Sequence, residues 1–208
     1  MTITVAIMSY GYAHLASHAV ESVLAQTRKA DEVIIVDDGK HDGIEAVAQR
    51  YGIQAIVREN NLGIIDNFNE VQKRAQTDYL LMLGADNWLH RDCLADMHDV
   101  VVNDQADIVS TDIEIWGTEA QDFAQQVNAQ DYVWKFTQGD IEQGNYIHGS
   151  SLYRVALAKE VGGYERNPAS VKTEEDWMLW RKMLRAGAKH THIKRPHLIY
   201  RRHKANFQ

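Results

Sequence analysis

The sequence predicts an α/β protein built on a single Rossmann-like, mostly parallel sheet, and two observations carry that expectation. Short unbroken apolar runs alternate with helical-period segments over the first hundred residues, joined by short loops. Such alternation builds parallel strands with right-handed crossovers. Three of the apolar runs also end in small, acidic or amide residues: Ser9-Tyr10, Asp37-Asp38 and Asp86-Asn87. Ligands bind outside the carboxyl ends of the strands in such sheets, so three polar ends on one edge define a candidate site.

The elements follow in order. Residues 3–8 (ITVAIM) form the first strand, and His14 to Gln26 a helix with Leu15, Ala19, Val20, Val23 and Leu24 at helical spacing. Glu32–Val36 is a second buried strand. Asp42 is placed to cap a helix running to Tyr51, with Gly52 as its stop. Ile53–Val57 is the third strand, Asn60-Asn61-Leu62-Gly63 a loop and Ile64–Ala75 a helix. Tyr79–Leu83 is a strand apolar enough to be buried on both faces.

Past a helix over Asp92–Asp104 the pattern changes. Ala106–Trp116 and Asp131–Thr137 read as strands around a Gln-rich segment, Glu119–Gln130. Gly139–Gly149 reads as a loop and Arg154–Val161 as a short helix stopped by Gly162-Gly163. Thr173 is placed to cap a helix over Glu174–Ala186. His190–Lys194 and Leu198–Arg202 read as two strands flanking Pro196. With no internal repeat or long linker, residues 1–208 are expected to form one domain.

The chain of 208 residues is 45% hydrophobic and 25% charged, an ordinary globular balance that can bury a sizeable core. Its net charge of −7 argues against a general nucleic-acid binder. An anionic ligand would have to be recruited locally, through a cation or a few basic residues. Cys93 is the single cysteine, which excludes a disulfide framework or a thiolate zinc site and fits a reducing compartment. No apolar run reaches the roughly 18 residues of a membrane span, and the amino terminus lacks a signal-peptide pattern. A cytoplasmic protein is expected, with the basic pairs Lys194-Arg195 and Arg201-Arg202 allowing peripheral contact with the inner face of a membrane.

The stretch Gly84-Ala85-Asp86-Asn87 carries the most chemistry. A carboxylate and an amide at the end of a buried strand suit a hydrated hard cation, whose waters a phosphate can replace. The same residues are also ordinary turn formers.

Four stretches of the first half and four of the second resemble the nucleotide-sugar glycosyltransferases of family 2. They are Met8-Ser9-Tyr10-Gly11, Glu21-Ser22-Val23-Leu24-Ala25-Gln26-Thr27, Val33-Ile34-Ile35-Val36-Asp37-Asp38-Gly39, and the fourth strand with Ala85-Asp86-Asn87. His148-Gly149-Ser150-Ser151-Leu152-Tyr153-Arg154, Val161-Gly162-Gly163-Tyr164, Glu174 to Trp180 and Tyr200-Arg201-Arg202-His203 follow. The resemblance implies a GT-A fold, with residues 1–104 as a nucleotide-sugar-binding half and 105–208 as an acceptor-binding half. It departs from the family pattern at two places. Gly84 stands at the first acid of the Asp-X-Asp motif, and Gly11 replaces the Asn of a Tyr-Asn pair.

The resemblance further implies an inverting, metal-dependent transferase acting on a nucleotide-diphospho-sugar, UDP-linked by expectation, with a carbohydrate or glycolipid acceptor in polysaccharide or glycoconjugate synthesis. Asp86 would hold Mn²⁺ or Mg²⁺ with His203 as a second ligand, and an imidazole leans towards manganese. Ser9, Tyr10, Asp38 and Asn87 would line the donor, Asp38 accepting from the base and Tyr10 stacking on it. Asp176 is the expected general base with Glu175 as its competitor, although three acids in a first turn also complement a helix N-terminus. His148 and the residues after it line the acceptor side or the diphosphate, or else form a strand end with a tight turn. At least one of Trp177 and Trp180 belongs to the core. His14 with His18, and His190 with His192, are not expected to bind metal.

The alternative is a catalytically weak or inactive nucleotide-binding module of a larger protein. A nucleotidyltransferase is disfavoured because Ser9 to His14 contains no Lys or Arg, and a dinucleotide oxidoreductase because no G-x-G-x-x-G follows the first strand.

Overall fold

The computed structural model describes residues 1–204 and 206. Its elements run β1 (Ile3–Ser9), α1 (Ala16–Leu24), β2 (Glu32–Asp37), α2 (Ile44–Tyr51), β3 (Gln54–Val57), α3 (Ile64–Arg74), β4 (Tyr79–Gly84), β5 (Trp88–Leu89) and α4 (Cys93–Asp104). They continue as β6 (Ile108–Trp116), α5 (Ala120–Gln126), β7 (Val133–Trp134), β8 (Leu152–Arg154), α6 (Val155–Glu160), α7 (Glu175–Arg185) and β9 (His190–Arg201). The nine strands of the described residues lie in one sheet of order β3-β2-β1-β4-β8-β6-β9-β5, with β7 paired to β6. β3, β2, β1 and β4 are parallel; β8 runs antiparallel between β4 and β6, and β6 pairs with β9 in parallel.

Alternate residues of the central strands face two separate cores, as period-2 geometry requires. Ile3, Val5 and Ile7 of β1 and Leu81 and Leu83 of β4 pack with α1, α2 and α4. Ala6, Met8, Leu80 and Met82 pack with α3, α6 and α7 on the other face. Helices cover both faces of the sheet, which is why these strands read as continuous apolar runs. Trp180 is fully buried in the second core, while Trp177 is only partly buried and donates its indole N–H to the Ile141 carbonyl at 2.7 Å.

The stretch after β1 is fastened in a way its composition foreshadows. Gln26, buried past the end of α1, donates to the His90 carbonyl at 2.7 Å and accepts from the Leu94 amide at 2.9 Å. Ser22 Oγ accepts the Leu89 amide, and Thr27 Oγ1 donates to Asp92 Oδ1. The ESVLAQT stretch therefore clamps α1 to the connection following the Asp86 turn.

Several expected boundaries shift. Asp42 does not cap α2; its Oδ2 accepts the Ala13 amide at 2.8 Å, and Gly43 in the left-handed region precedes the helix. Gly52 does end α2 in that conformation. Thr173 does not cap α7, whose N-cap is Glu174 with φ 48°, while the Thr173 hydroxyl donates to the Glu175 carboxylate. The Gln-rich segment contains a helix, α5, because Ala120 and Ala124 share a face packed against Phe123, Val127 and Trp134. The strand expected over 131–137 shrinks to Val133–Trp134. An additional strand, β8, precedes the short helix α6. The two strands around Pro196 are one, since a register irregularity opposite Thr111, Asp112 and Ile113 accommodates a residue with no N–H.

β6 and β9 enclose a histidine cluster. Ser110 Oγ lies 2.8 Å from both His190 Nε2 and His192 Nδ1, and His192 Nε2 lies 3.0 Å from Asp112 Oδ1. Buried His148 sits against Thr111, with its Nε2 3.4 Å from the Thr111 amide nitrogen. Burial, then the neighbouring His192, hold His148 near pKa about 3 and His190 near about 4. Both lie below the value of about 6.5 in an unfolded chain. As pH falls below about 6.5 the unfolded chain therefore takes up protons that the folded chain refuses, and stability is lost. Between pH 7 and 5 these two histidines are expected to lower the denaturation free energy by about 2–4 kcal/mol. Urea midpoints of an Asp176→Asn variant, which lacks the opposing titration of the buried Asp176 carboxyl, check this at the two pH values; an unchanged midpoint there would refute it.

Candidate functional site

The register brings the three polar strand ends together. Ser9 pairs with Asp37 and Met8 with Gly84. The Asp38 amide donates to the Ser9 carbonyl at 3.0 Å, and the Ala85 amide to the Met8 carbonyl at 2.9 Å. Buried Ser9 Oγ has no hydrogen-bond partner among the described residues, and Tyr10 beside it is 45% exposed.

The two aspartates ending β2 have different tasks. Asp37 is buried and accepts the Lys40 and His41 amides at 3.0 and 2.8 Å, closing a tight turn. Asp38 accepts the Leu62 amide on Oδ1 at 2.9 Å and the Gly63 amide on Oδ2 at 3.1 Å. It thus fastens the loop after β3 over the end of β2. Gly39, at φ 78°, is required there: a Cβ would stand 2.4 Å from the Asn60 carbonyl carbon.

At the end of β4, Asp86 and Asn87 are both buried. Asp86 Oδ2 lies 3.3 Å from His203 Nε2 and accepts the Asn206 side-chain amide at 2.9 Å. Burial raises the Asp86 pKa above its ordinary value, with His203 the largest opposing influence. Tyr12 packs edge-on to the His203 ring at 5.6 Å; burial and then the Asp86 charge raise its pKa. Gly84 makes room for this arrangement, since a Cβ on it would lie 2.8 Å from both Asp86 Oδ1 and Asn87 Nδ2.

Arg201, read from the sequence only as part of a basic pair and of the Tyr200–His203 stretch, is buried and holds the two chain segments in place. Its amide donates to Asn87 Oδ1 at 3.0 Å and its Nε to the Asp86 carbonyl at 2.9 Å. Its guanidinium lies over both Trp88 and Trp116, at 4.8 and 5.2 Å from the ring centroids, and burial lowers its pKa. Because β9 runs parallel to β6, and β6 to β4, the end of β9 arrives at the same sheet edge as Asp86. A cleft of about 220 Å³ adjoins His203, lined by Glu119, Phe123, Arg202 and Lys204 among others.

The donor set fits a divalent cation in part. A buried carboxylate short of counter-charge faces an imidazole nitrogen across 3.3 Å, and hard cations complete their shells with phosphate oxygens and water. No cluster of three or more acidic, His or Cys ligands exists among the described residues. Asn87 Oδ1 accepts the Arg201 amide, and the rest of its side-chain amide stays available beside Asp86.

The second group of carboxylates lies at the start of α7. The antiparallel course of β8 makes the segment before Leu152 emerge at the carboxyl end of β4. Gly149 of that segment backs onto Asp176, whose Oδ2 would lie 3.4 Å from a Cβ on the glycine. Asp176 also accepts the Trp177 amide at 2.7 Å and the Asn145 side-chain amide at 3.3 Å. Burial, followed by the charge of Glu175, raises its pKa to about 7. Glu175 is held by Thr173 and Glu174 by Asn167. His148 sits behind this segment, buried against Thr111 and Phe136.

The fold is shared with solved glycosyltransferases. The S. aureus TarS 1–349 structure in complex with UDP-GlcNAc superposes with a TM-score of 0.75 at 15% identity, covering 99% of this chain and 60% of that one. The mannosyltransferase PcManGT from Pyrobaculum calidifontis, in complex with GDP-Man and Mn2+, gives 0.73 at 18% identity over 99% of this chain and 58% of that one. These likenesses identify the GT-A fold. In sequence, the chain is 25% identical over 118 residues to the cholesterol galactosyltransferase of Borreliella burgdorferi, and 23% identical over 110 residues to the glycosyltransferase GlyA of Streptococcus pneumoniae. Those segments are 55% and 51% of this chain but only 33% and 16% of the relatives. The glycosyl transferase family 2 model matches residues 4–162, most of the length, and the chain belongs to that family.

Proposed function

We propose that this chain transfers a sugar from a nucleotide-diphospho-sugar, UDP-linked, to an acceptor hydroxyl with inversion at the anomeric carbon. The observation that carries the reading is the meeting of Asp86 and His203, 117 residues apart, at the carboxyl end of β4. Residues 1–104 form the donor half, where Ser9, Tyr10 and Asp38 receive the nucleotide. Asp38 has one lone pair per oxygen committed to the 60–63 loop, which leaves others to accept the imino proton of the base. Residues 105–208 supply the acceptor side. There Asp176 takes the proton of the attacking hydroxyl as the new C–O bond forms and the bond to the diphosphate breaks. Asp86 and His203 would hold Mn²⁺ or Mg²⁺, which when bound offsets the charge gained by the departing nucleoside diphosphate.

Supporting this reading are family membership and the raised Asp176 pKa, which suits a base working near neutrality. A carbohydrate or glycolipid acceptor and a cytoplasmic site of action, at or near a membrane surface, belong to the same proposal; no helix of the described residues is long and apolar enough to cross a membrane. A non-catalytic nucleotide-binding module is the second reading, favoured by Gly84 in place of an acid and by the Asn206 amide on Asp86.

Calorimetric titration of UDP, GDP and dTDP with and without Mn²⁺ tests the donor assignment. Metal-dependent binding with preference for UDP is expected; absence of nucleotide binding would overturn it. Turnover of UDP-sugars then separates the enzyme from the module.

A further inference from the structure

The turn after β2 places a cation beside the exposed aromatic ring of the donor edge. Lys40 follows Gly39, and its backbone is fixed by the bond from its amide to Asp37 Oδ1. Its Nζ lies 5.3 Å from the centroid of the Tyr10 ring. The methylenes of its stem run along Gly11: a Cβ there would lie 3.8 Å from both Lys40 Cγ and Cε. Gly11 itself stands at φ 84°, a backbone conformation that favours glycine. The ammonium makes no ion pair among the described residues, so its hydrogens remain for a ligand.

We infer that Lys40 is a specificity-determining residue that reads the nucleobase stacked on Tyr10, by donating to an exocyclic carbonyl oxygen. The inference rests on the donor-site reading above and deepens it. An ammonium is a donor only and a carboxylate is an acceptor only. Lys40 and Asp38 together match a base edge that presents a carbonyl next to an imino N–H, as uracil, thymine and guanine do. Cytosine presents an amino group and an unprotonated ring nitrogen at the same two places. It leaves the Lys40 donor facing a donor and the Asp38 acceptor facing an acceptor. A mismatch of this kind discriminates strongly, because both protein groups lose their partners.

UDP and CDP differ only at that edge, so their affinities isolate it. Titrations with Mn²⁺ are made on the unmodified chain, Lys40→Ala and Lys40→Gln. Lys40 is exposed, and circular dichroism verifies that the variants fold. The unmodified chain is expected to prefer UDP. Lys40→Ala should weaken UDP about tenfold, as loss of a charged hydrogen bond does, while leaving CDP within about twofold. Lys40→Gln, which can either donate or accept, should narrow the preference by improving CDP. Equal weakening of UDP and CDP in Lys40→Ala would mean a phosphate contact or general attraction and overturn the inference. Unchanged affinities would overturn it as well. If the unmodified chain binds neither nucleotide, the donor-site reading itself fails and takes this inference with it.

Discussion

Asp176→Asn is expected to lower transfer by roughly 10²–10⁴-fold, the usual contribution of a positioned general base, while nucleotide affinity stays near that of the unmodified chain. The carboxylate must be ionised to accept a proton, and its pKa is pushed up to about 7. Turnover should therefore rise with pH through about 7 and level off above it. Stability moves the opposite way. The folded pKa lies above the unfolded value, so the folded chain keeps a proton between about pH 4 and 7 that the unfolded chain releases, and stability falls as pH rises across that window. An amide at this position escapes the cost of ionising, offset by a poorer match to the Asn145 amide. Above pH 7 the variant should be more stable by about 1 kcal/mol, a gain of a few degrees in Tm. An inactive but stabilised protein separates a catalytic loss from a folding defect. Transfer at near the unmodified rate would remove Asp176 as the base and pass the role to Glu175.

Asp86→Ala is expected to abolish the Mn²⁺-dependent part of nucleotide binding and to reduce kcat/KM by about 10³-fold, equivalent to roughly 4 kcal/mol of transition-state stabilisation. The variant should still fold. Asp86 is buried with its pKa already raised, and the loop around it is held through its backbone carbonyl and through Asn87, both bonded to Arg201. Calorimetry with UDP in Mn²⁺ and in a chelator reads the effect directly. A metal-dependent affinity that survives the substitution would mean the cation is held elsewhere, and the proposed donor geometry would have to be abandoned.

The first half of the fold was legible because its strands are buried on both faces and its helices have one apolar stripe each. Those patterns follow from geometry that any residue in the element must obey. The second half was less so. Val133–Trp134 and Leu152–Arg154 are too short to show a period, and α5 hides its apolar Ala-Phe face among glutamines. Pro196 looked like a strand boundary only because the irregular pairing that tolerates it is a property of two strands together. Asp42 has the right chemistry for a cap, but a tertiary partner, the Ala13 amide, takes its carboxylate instead.

For the site, residue order is enough to say which chemical groups stand at the ends of the strands, because apolar runs and polar ends are written in consecutive residues. It marked Asp86, His203, Asp38 and Asp176, and the family resemblance paired His203 with Asp86 on one cation. Only the folded chain shows that Asn87 is bonded to Arg201, that Asp38 also clasps the 60–63 loop and that Lys40 lies against Tyr10. Each of these depends on the register between strands far apart in the chain or on how a side chain is desolvated. Residue order carries neither quantity until the sheet has closed.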